Sequence, residues 1–116
     1  MINIGIHGGS GRMGTMIYEC LKNFDQARAS VIYTVAPLDY TPSCAVTSSY
    51  DKLFSGCDVV IDFTIRDGAI SLMKFALSHP KPLCIGTTAL GEEGERLLRE
   101  CGAKMPVPVS YTHLRA

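Results

Sequence analysis

The sequence lacks the features that assign a chain to a nucleic-acid-binding, membrane or secreted class. Its 11 basic and 11 acidic residues cancel, so no excess of positive charge marks it for nucleic acid or an anionic membrane surface. No apolar run approaches the roughly 20 residues that span a bilayer. The first residues also lack the basic and apolar segments of a secretory signal. We therefore expect a protein that binds neither nucleic acid nor membrane.

The cysteines form no recognisable framework. The chain has five of them, scattered, and no two stand in a C-x-x-C pair. This argues against a zinc site and against a set of disulfides. Unpaired thiols are typical of a reducing compartment. We expect buried or inert thiols, a cytoplasmic location and no metal site.

Two kinds of apolar segment alternate along the 116 residues, a length that suits one domain. Short β-branched runs predict strands at residues 1–6, 29–35, 58–63 and 83–86. Helical spacing predicts helices at residues 12–23, 67–78 and 92–104. The apolar face predicted for the first helix consists of Met13, Met16, Ile17, Cys20 and Leu21. Residues 37–49, rich in proline and serine, predict a loop, and residues 50–54 a single turn.

This alternation indicates the fold class. Near-continuous apolar strands between amphipathic helices are typical of a parallel sheet covered on both faces. We predict an α/β fold: a Rossmann-like, doubly wound parallel sheet in a single domain.

A glycine-rich loop joins the first predicted strand to the first helix. Its glycines, at positions 8, 9, 11 and 14, form a variant of G-x-G-x-x-G with the middle glycine displaced by one. Such a loop directs backbone N–H groups and the positive end of a helix dipole at one point, which favours a phosphate. A Walker A loop is excluded, because Thr15 and Met16 follow Gly14 and the lysine is missing. The alternative is a tight turn that binds no ligand. Such a turn would not require four glycines, which cost backbone entropy on folding.

The end of the second predicted strand leaves the choice of dinucleotide open. In dinucleotide-binding folds an acidic residue there binds the adenosine ribose. Here the residues are Tyr33-Thr34-Val35-Ala36-Pro37, and the nearest carboxylate, Asp39, lies beyond the proline. Both NADH and NADPH therefore stay possible.

Three stretches resemble the amino-terminal half of the dihydrodipicolinate reductases, also called 4-hydroxy-tetrahydrodipicolinate reductases, of bacterial lysine (diaminopimelate) biosynthesis. GGSGRMG resembles the family's G-x-x-G-R-M-G, and DVVIDFT and KPLCIGTT resemble two of its later strands. Order and spacing agree over residues 1–107. The resemblance implies the cofactor-binding portion of an NAD(P)H-dependent reductase, whose substrate is a cyclic, unsaturated dicarboxylate.

The resemblance also implies which residues hold the cofactor. Those at the pyrophosphate and its adjacent ribose would be Gly8, Gly9, Ser10, Gly11, Arg12 and Met13, with Gly14 packing the helix on the strand. Those at the nicotinamide end would be Phe63, Thr64, Gly86, Thr87 and Thr88. All lie at the carboxyl ends of predicted parallel strands, where open α/β sheets bind ligands. Two loop positions depart from the family, since Arg66 replaces a common proline and Ala89 a common glycine.

The last residues depart further. The family continues through another strand into an N-[MF]-S-x-G-V segment, whereas residues 108–116 read PVSYTHLRA. We therefore predict a dinucleotide-binding domain at 1–107 and a foreign tail at 108–116. By resemblance, the catalytic histidine and lysine and the surfaces that assemble full-length homo-oligomers lie in the half beyond. We predict no catalytic residue in this chain and expect it to be inactive alone.

Two other hypotheses stay open: a non-catalytic nucleotide-binding or redox-sensing module, and another NAD(P)-dependent oxidoreductase of Rossmann type. Two polar residues near strand ends are interpreted as structural. His7 stands beside the glycine loop, where a lone histidine is more commonly structural or exposed. Asp62 ends the third predicted strand, where an acidic residue more commonly bonds a neighbouring loop.

Overall fold

Strands and helices alternate in the computed structural model, which describes residues 2–9, 11–87 and 90–104. In chain order the elements are β1 (Ile2–His7), α1 (Arg12–Leu21), β2 (Ala27–Tyr33), β3 (Ala45–Thr47), α2 (Tyr50–Ser55), β4 (Val59–Asp62), α3 (Arg66–Ser78), β5 (Leu83–Ile85) and α4 (Gly91–Lys104). The strands are parallel and lie in the order β3-β2-β1-β4-β5. The predicted Rossmann-like, doubly wound fold is confirmed.

Each face of the sheet has its own apolar cluster. On the face that we call the α3 face, helices α2, α3 and α4 pack against the strand residues Val31, Val60, Leu83 and Ile85. On the other, the α1 face, helix α1 packs against Ile4, Ile6 and Ile32. Because successive side chains of a strand point to opposite faces, residues two positions apart extend each cluster along the strand.

The buried face of α1 differs from the predicted one. Gly14, Tyr18 and Leu21 are buried, whereas Met13 is 43% exposed and Met16 52% exposed. The cause is Gly14, because a Cβ there would overlap the carbonyl oxygen of Gly8. The helix contacts the preceding loop at a position that only glycine can occupy. This contact turns the methionines toward solvent.

The segment predicted as a loop contains a short strand. Three residues, Ala45–Thr47, pair with Val31–Tyr33 at the edge of the sheet. The predicted single turn that follows is the helix α2, for which the hydroxyl of Ser49 accepts a hydrogen bond from the amide of Lys52 (3.4 Å). Both elements were hidden from periodicity because three residues and six residues are too short to show it.

Candidate functional site

A cleft of about 570 Å³ opens at the carboxyl edge of the sheet. The loops that follow β1, β2 and β4 line it, together with Tyr50 of α2 and Ser71 of α3. After β1 the chain turns to the α1 face, and after β4 it turns to the α3 face. Loops that diverge in this way leave a crevice between them, and doubly wound sheets bind ligands there.

Two other concave surfaces are less suited to a ligand of this fold. A groove of about 530 Å³ lies between the end of α1 and the start of β2, at the opposite edge of the sheet. A shallow concavity of about 860 Å³ is lined by residues 90–99 alone. Neither lies where the strand order reverses.

Three of the four loop glycines are required by the fold itself. Gly8 has a φ of +96°, which favours glycine, and a Cβ there would overlap the methyl group of Thr64. A Cβ on Gly9 would overlap Ile32, and Gly14 packs on Gly8. Packing therefore explains these three positions without a ligand.

Gly11 differs from the other three. It is exposed, and among the described residues, its chain neighbours aside, the one atom within 4 Å of a Cβ placed there is the carbonyl oxygen of Gly8 at 3.7 Å. Its backbone has φ −80°, which any residue can adopt. Open space beside Gly11 leaves its backbone accessible to a ligand.

The first turn of α1 begins at this open position. Gly11 is the N-cap, no side chain of the described residues caps this end of the helix, and no acidic residue stands in the first turn. The first N–H groups of a helix have no partner within it, and the helix dipole is positive at this end. Arg12 and Met13 are exposed beside it. The arrangement can bind an anion.

Of the residues predicted at the nicotinamide end, two line the cleft and two lie behind its wall. Phe63 and Thr64 line the cleft. Gly86 lies under the ring of Phe63, which a Cβ at that position would overlap. Thr87 is 5% exposed, and its hydroxyl lies 2.6 Å from Oδ2 of Asp62 and 2.7 Å from the carbonyl oxygen of Thr64.

The hydroxyl of Thr87 is thus engaged inside the protein. What Thr87 can offer to a ligand is its main chain. The predicted residues Ser10 and Thr88 lie outside the described residues.

The carboxylate of Asp62 is fully buried and joins several parts of the cleft wall. Its Oδ1 accepts hydrogen bonds from Nδ1 of His7 (2.7 Å) and from the hydroxyl (2.7 Å) and amide (3.3 Å) of Thr64. Burial alone would raise the pKa of Asp62, but the bonds from His7, Thr87 and Thr64 outweigh it and the net shift lowers the pKa. The group is therefore an ionised carboxylate.

A tyrosine pair continues this network into the cleft. The hydroxyl of Tyr50 lies 3.2 Å from Nε2 of His7, and the rings of Tyr33 and Tyr50 stack with centroids 4.5 Å apart. Burial raises the pKa of Tyr50 to about 12. Near neutral pH this side of the cleft therefore presents a protonated hydroxyl.

The contact between His7 and Asp62 is not predicted by the sequence patterns above, which concern each residue separately. The available signal was strand alternation, because His7 follows Gly5 by two positions and Asp62 follows Val60 by two. Both pairs continue a column of the α3 face, and His7 pairs with Asp62 in the register of β1 and β4. The structural interpretation of each residue agrees with its hydrogen bonds.

The thiols and the helices add further findings. Cys57 and Cys101 are buried and Cys20 is exposed, and all five cysteines are free. Burial raises the pKa of Cys57 and of Cys101. No helix within residues 2–9, 11–87 and 90–104 has the length and apolar character to cross a membrane. In the same part of the chain, no three His, Cys, Asp or Glu side chains cluster as metal ligands would.

Comparison with protein families tests the resemblance. The model described as "Dihydrodipicolinate reductase, N-terminus" matches residues 2–112. The chain belongs to this family. The resemblance predicted from GGSGRMG, DVVIDFT and KPLCIGTT is thereby confirmed.

Two members of the family share much of the sequence. A 4-hydroxy-tetrahydrodipicolinate reductase of Campylobacter hominis is 64% identical over 107 residues, which cover 92% of this chain and 42% of the relative. One from a Nitratiruptor species is 40% identical over 108 residues, again 92% of this chain and 42% of the relative. The chain thus spans less than half the length of these reductases.

Solved structures confirm the fold. A dihydrodipicolinate reductase from a Paenisporosarcina species, solved with dipicolinate, matches with a TM-score of 0.78 at 18% identity, over 96% of this chain and 47% of that one. A biliverdin reductase from a Synechocystis species, solved with biliverdin and NADP+, matches with a TM-score of 0.77 at 17% identity, over 98% of this chain and 39% of that one. At this identity the likeness concerns the fold alone.

Proposed function

We propose that the cleft binds NADH or NADPH and that the complete enzyme reduces a cyclic, unsaturated dicarboxylate, as a cytoplasmic 4-hydroxy-tetrahydrodipicolinate reductase of bacterial lysine biosynthesis. The observation that carries the proposal is the uncapped first turn of α1, which begins at Gly11 beside open space. Family membership supports the same reading. A nicotinamide dinucleotide has the anionic group that this turn favours.

The pyrophosphate is assigned to the N-terminus of α1. Backbone amides there have no partner within the helix, and the guanidinium of Arg12 is exposed nearby, with planar donors suited to phosphate oxygens. A ligand that crosses the cleft from this point has the adenosine near Thr34 and Val35. Its nicotinamide then lies near Phe63 and Thr64, which line the cleft with Gly8 and Gly11.

The end of β2 supports acceptance of both cofactors. The hydroxyl of Thr34 is engaged in its own turn, 2.8 Å from the carbonyl oxygen of Ala36, and Val35 is 84% exposed. Among the described residues that line the cleft, Asp67 is the acidic one, and it stands in the first turn of α3 rather than beside β2. With no carboxylate at the end of β2 to repel a 2′-phosphate, NADPH and NADH should both fit.

The bound cofactor supplies a hydride, and the described residues supply its placement. The ring of Phe63 lies across Gly86 and so fixes one wall of the nicotinamide end. The buried Asp62, with its partners His7, Thr64 and Thr87, supports that wall from below. The substrate site, the proton donor and the surfaces of homo-oligomer assembly are assigned to the additional length that the relatives have.

Calorimetric titration of the 116-residue chain with NADH and with NADPH tests the cofactor half of the proposal. We expect both to bind with affinities within about tenfold of each other, a difference of about 1.4 kcal/mol. Circular dichroism first establishes that the chain is folded. A folded chain that binds neither dinucleotide would sink the proposal.

The reductase half needs the full-length protein. Absorbance of NADH should fall when the cyclic dicarboxylate is added and stay constant without it. Oxidation of NADH that does not depend on this substrate, or no oxidation at all, would rule out the proposed activity while leaving the cofactor site standing.

A further inference from the structure

The carboxylate of Asp62 stands where the carboxyl ends of three strands meet beside the cleft. His7 ends β1, Thr64 follows β4, and Thr87 follows β5. Hydrogen bonds join Asp62 to the side chain of each, at 2.7, 2.7 and 2.6 Å. The same carboxylate therefore links residues at the ends of three different strands.

We infer that Asp62 is a positioning residue that fixes the nicotinamide half of the cofactor site through Thr64 and Thr87. This inference rests on the proposed function. Asp62 is fully buried and is absent from the cleft lining, so its effect on a ligand passes through its partners. The loops it ties include Phe63, Thr64 and Gly86, the residues assigned to the nicotinamide.

Three further hydrogen bonds hold residues 64, 86 and 87 in place around Asp62. The amide of Gly86 donates to the main-chain oxygen of Asp62 (2.7 Å), and the amide of Thr64 donates to its carboxylate (3.3 Å). The hydroxyl of Thr87 also lies within reach of the carbonyl oxygen of Thr64 (2.7 Å). Residues 64, 86 and 87 are thus held relative to one another and not only to Asp62.

The loop at the pyrophosphate end of the cleft has hydrogen bonds of its own that do not involve this carboxylate. It is held by the amides of Gly8 and Gly9, which donate to the carbonyl oxygen of Tyr33 (3.0 and 3.2 Å). The hydroxyl of Tyr40 also donates to the carbonyl oxygen of Gly9 (2.9 Å). Loss of the Asp62 carboxylate should therefore weaken one end of a bound dinucleotide and spare the other.

Affinities for NADH and for ADP-ribose, which lacks the nicotinamide, separate the two ends. In the wild-type chain NADH should bind more tightly than ADP-ribose. In Asp62→Ala the ratio of the two affinities should fall by about fivefold or more, the effect of losing one hydrogen bond of about 1 kcal/mol. The affinity for ADP-ribose itself should stay within about twofold of wild type.

Two variants complete the design. Thr87→Val removes the contacts of one hydroxyl, with Asp62 and with Thr64, and should lower the same ratio even where Asp62→Ala fails to fold. Asp58→Asn is the matched control, because Asp58 directly precedes β4 and its carboxylate also accepts a hydrogen bond, from the amide of Asn3 (2.8 Å), but at the opposite edge of the sheet. It should leave the ratio unchanged.

The outcomes distinguish this inference from the proposed function. A folded wild-type chain that binds neither ligand overturns the proposed function. A wild-type chain that binds NADH no more tightly than ADP-ribose, or variants that keep the wild-type ratio, overturn the inference alone. An equal loss of affinity for both ligands would mean that Asp62 serves only folding, and overturns it as well.

Discussion

At the scale of single residues, the glycines of the first loop have separable duties. Gly14 is held against the main chain of Gly8 and Gly9, with a hypothetical Cβ 2.9 Å from the Cα of Gly9. Gly11 has open space beside it. Packing therefore requires Gly14, whereas the proposed ligand site requires Gly11 in the same motif.

Gly14→Ala should destabilise the chain by about 2 kcal/mol, although alanine is the better helix former by about 1 kcal/mol. The added methyl group meets main-chain atoms, which cannot rotate away, and overpacking typically costs about 1–3 kcal/mol. Urea unfolding followed by circular dichroism measures the change. A Gly14→Ala chain as stable as wild type would show that the contact with Gly8 is loose.

Gly11→Ala should change the free energy of unfolding by no more than about 1 kcal/mol, the usual range for an N-cap residue. Its methyl group should instead hinder a phosphate at the first turn of α1 and weaken NADH binding by about tenfold or more. Calorimetric titration gives the affinity. Unchanged affinity would place the pyrophosphate elsewhere.

Asp62 should make folding stability depend on pH in the acid range. Its pKa in the folded chain is lowered from an unfolded value of about 3.9. The ionised carboxylate therefore stabilises the fold above that unfolded value, and this stabilisation is lost as the pH falls through about 4 toward the lower folded value. Asp62→Asn removes the titration.

In that variant the amide oxygen can still accept from His7 and Thr64, and the amide nitrogen can donate to the hydroxyl of Thr87. The difference in unfolding free energy between wild type and Asp62→Asn should thus shrink as the pH falls below about 4. Urea unfolding at a series of pH values provides the comparison. A difference that ignores pH would contradict the lowered pKa.

At the scale of elements, the start of α1 is the feature that favours binding of an anion. Met13 is exposed in the first turn and Met16 is exposed just beyond it. Met13→Glu should place a negative charge at the positive end of the helix, stabilise the chain by about 0.5 kcal/mol and weaken NADH binding several-fold by competition with the phosphates. Thermal unfolding and titration read the two effects.

Met16→Glu is the control for that substitution. It adds the same charge to the same helix, outside the first turn, where the dipole effect fades. Equal losses of affinity in both variants would indicate general charge repulsion rather than a site at the helix start.

Elements were predictable from the sequence where a periodic signal was long enough. The helices α3 and α4 were found within one residue of their starts, because Ala69, Met73, Leu97 and Cys101 fall on buried faces. The strand β3 was not found, because Ala45 and Val46 are exposed and only three residues pair. The buried face of α1 was also missed, because Gly14, which decides it, carries no hydrophobic side chain.

The candidate site divides in the same way. The glycine loop of the site is predicted from its composition, and the Gly-Thr-Thr segment is predicted from the family resemblance. The link between His7 and Asp62 depends on strand order and register, which bring together residues that are 55 positions apart. Neither order nor register can be obtained from the local pattern of one strand.

At the scale of the whole molecule, the two faces of the sheet are covered unequally. Helices α2, α3 and α4 pack on one face, and within the described residues α1 is the helix on the other. Val59, Ile61 and Cys84 on the α1 face are correspondingly only half-buried. The loops of the cleft thus lie between a thick layer and a thin one.

Ligand binding should raise the free energy of unfolding of the whole chain. NADH at about a hundredfold excess over its Kd should raise the free energy of unfolding by about 2.7 kcal/mol. Thermal unfolding with and without NADH measures this, and hydrogen exchange should slow at residues 11–13 and 63–65. At the same NADH concentration Gly11→Ala should gain less, and an equal gain in both chains would point to binding outside the cleft.

The pairing of β1 with β2 contains one irregularity whose effect reaches the cleft. Ile4 pairs with Ala29 but Gly5 pairs with Val31, so Ser30 is an extra residue, anchored by a hydrogen bond from its hydroxyl to the carbonyl oxygen of Gly56 (2.7 Å). Before it, odd-numbered residues of β2 belong to the α1 face, and after it they belong to the α3 face. If the strand alternated regularly through Ser30, with no bulge, the odd-numbered Tyr33 would fall on the α1 face, away from Tyr50. The bulge at Ser30 thus decides on which side of the sheet the aromatic wall of the cleft is built.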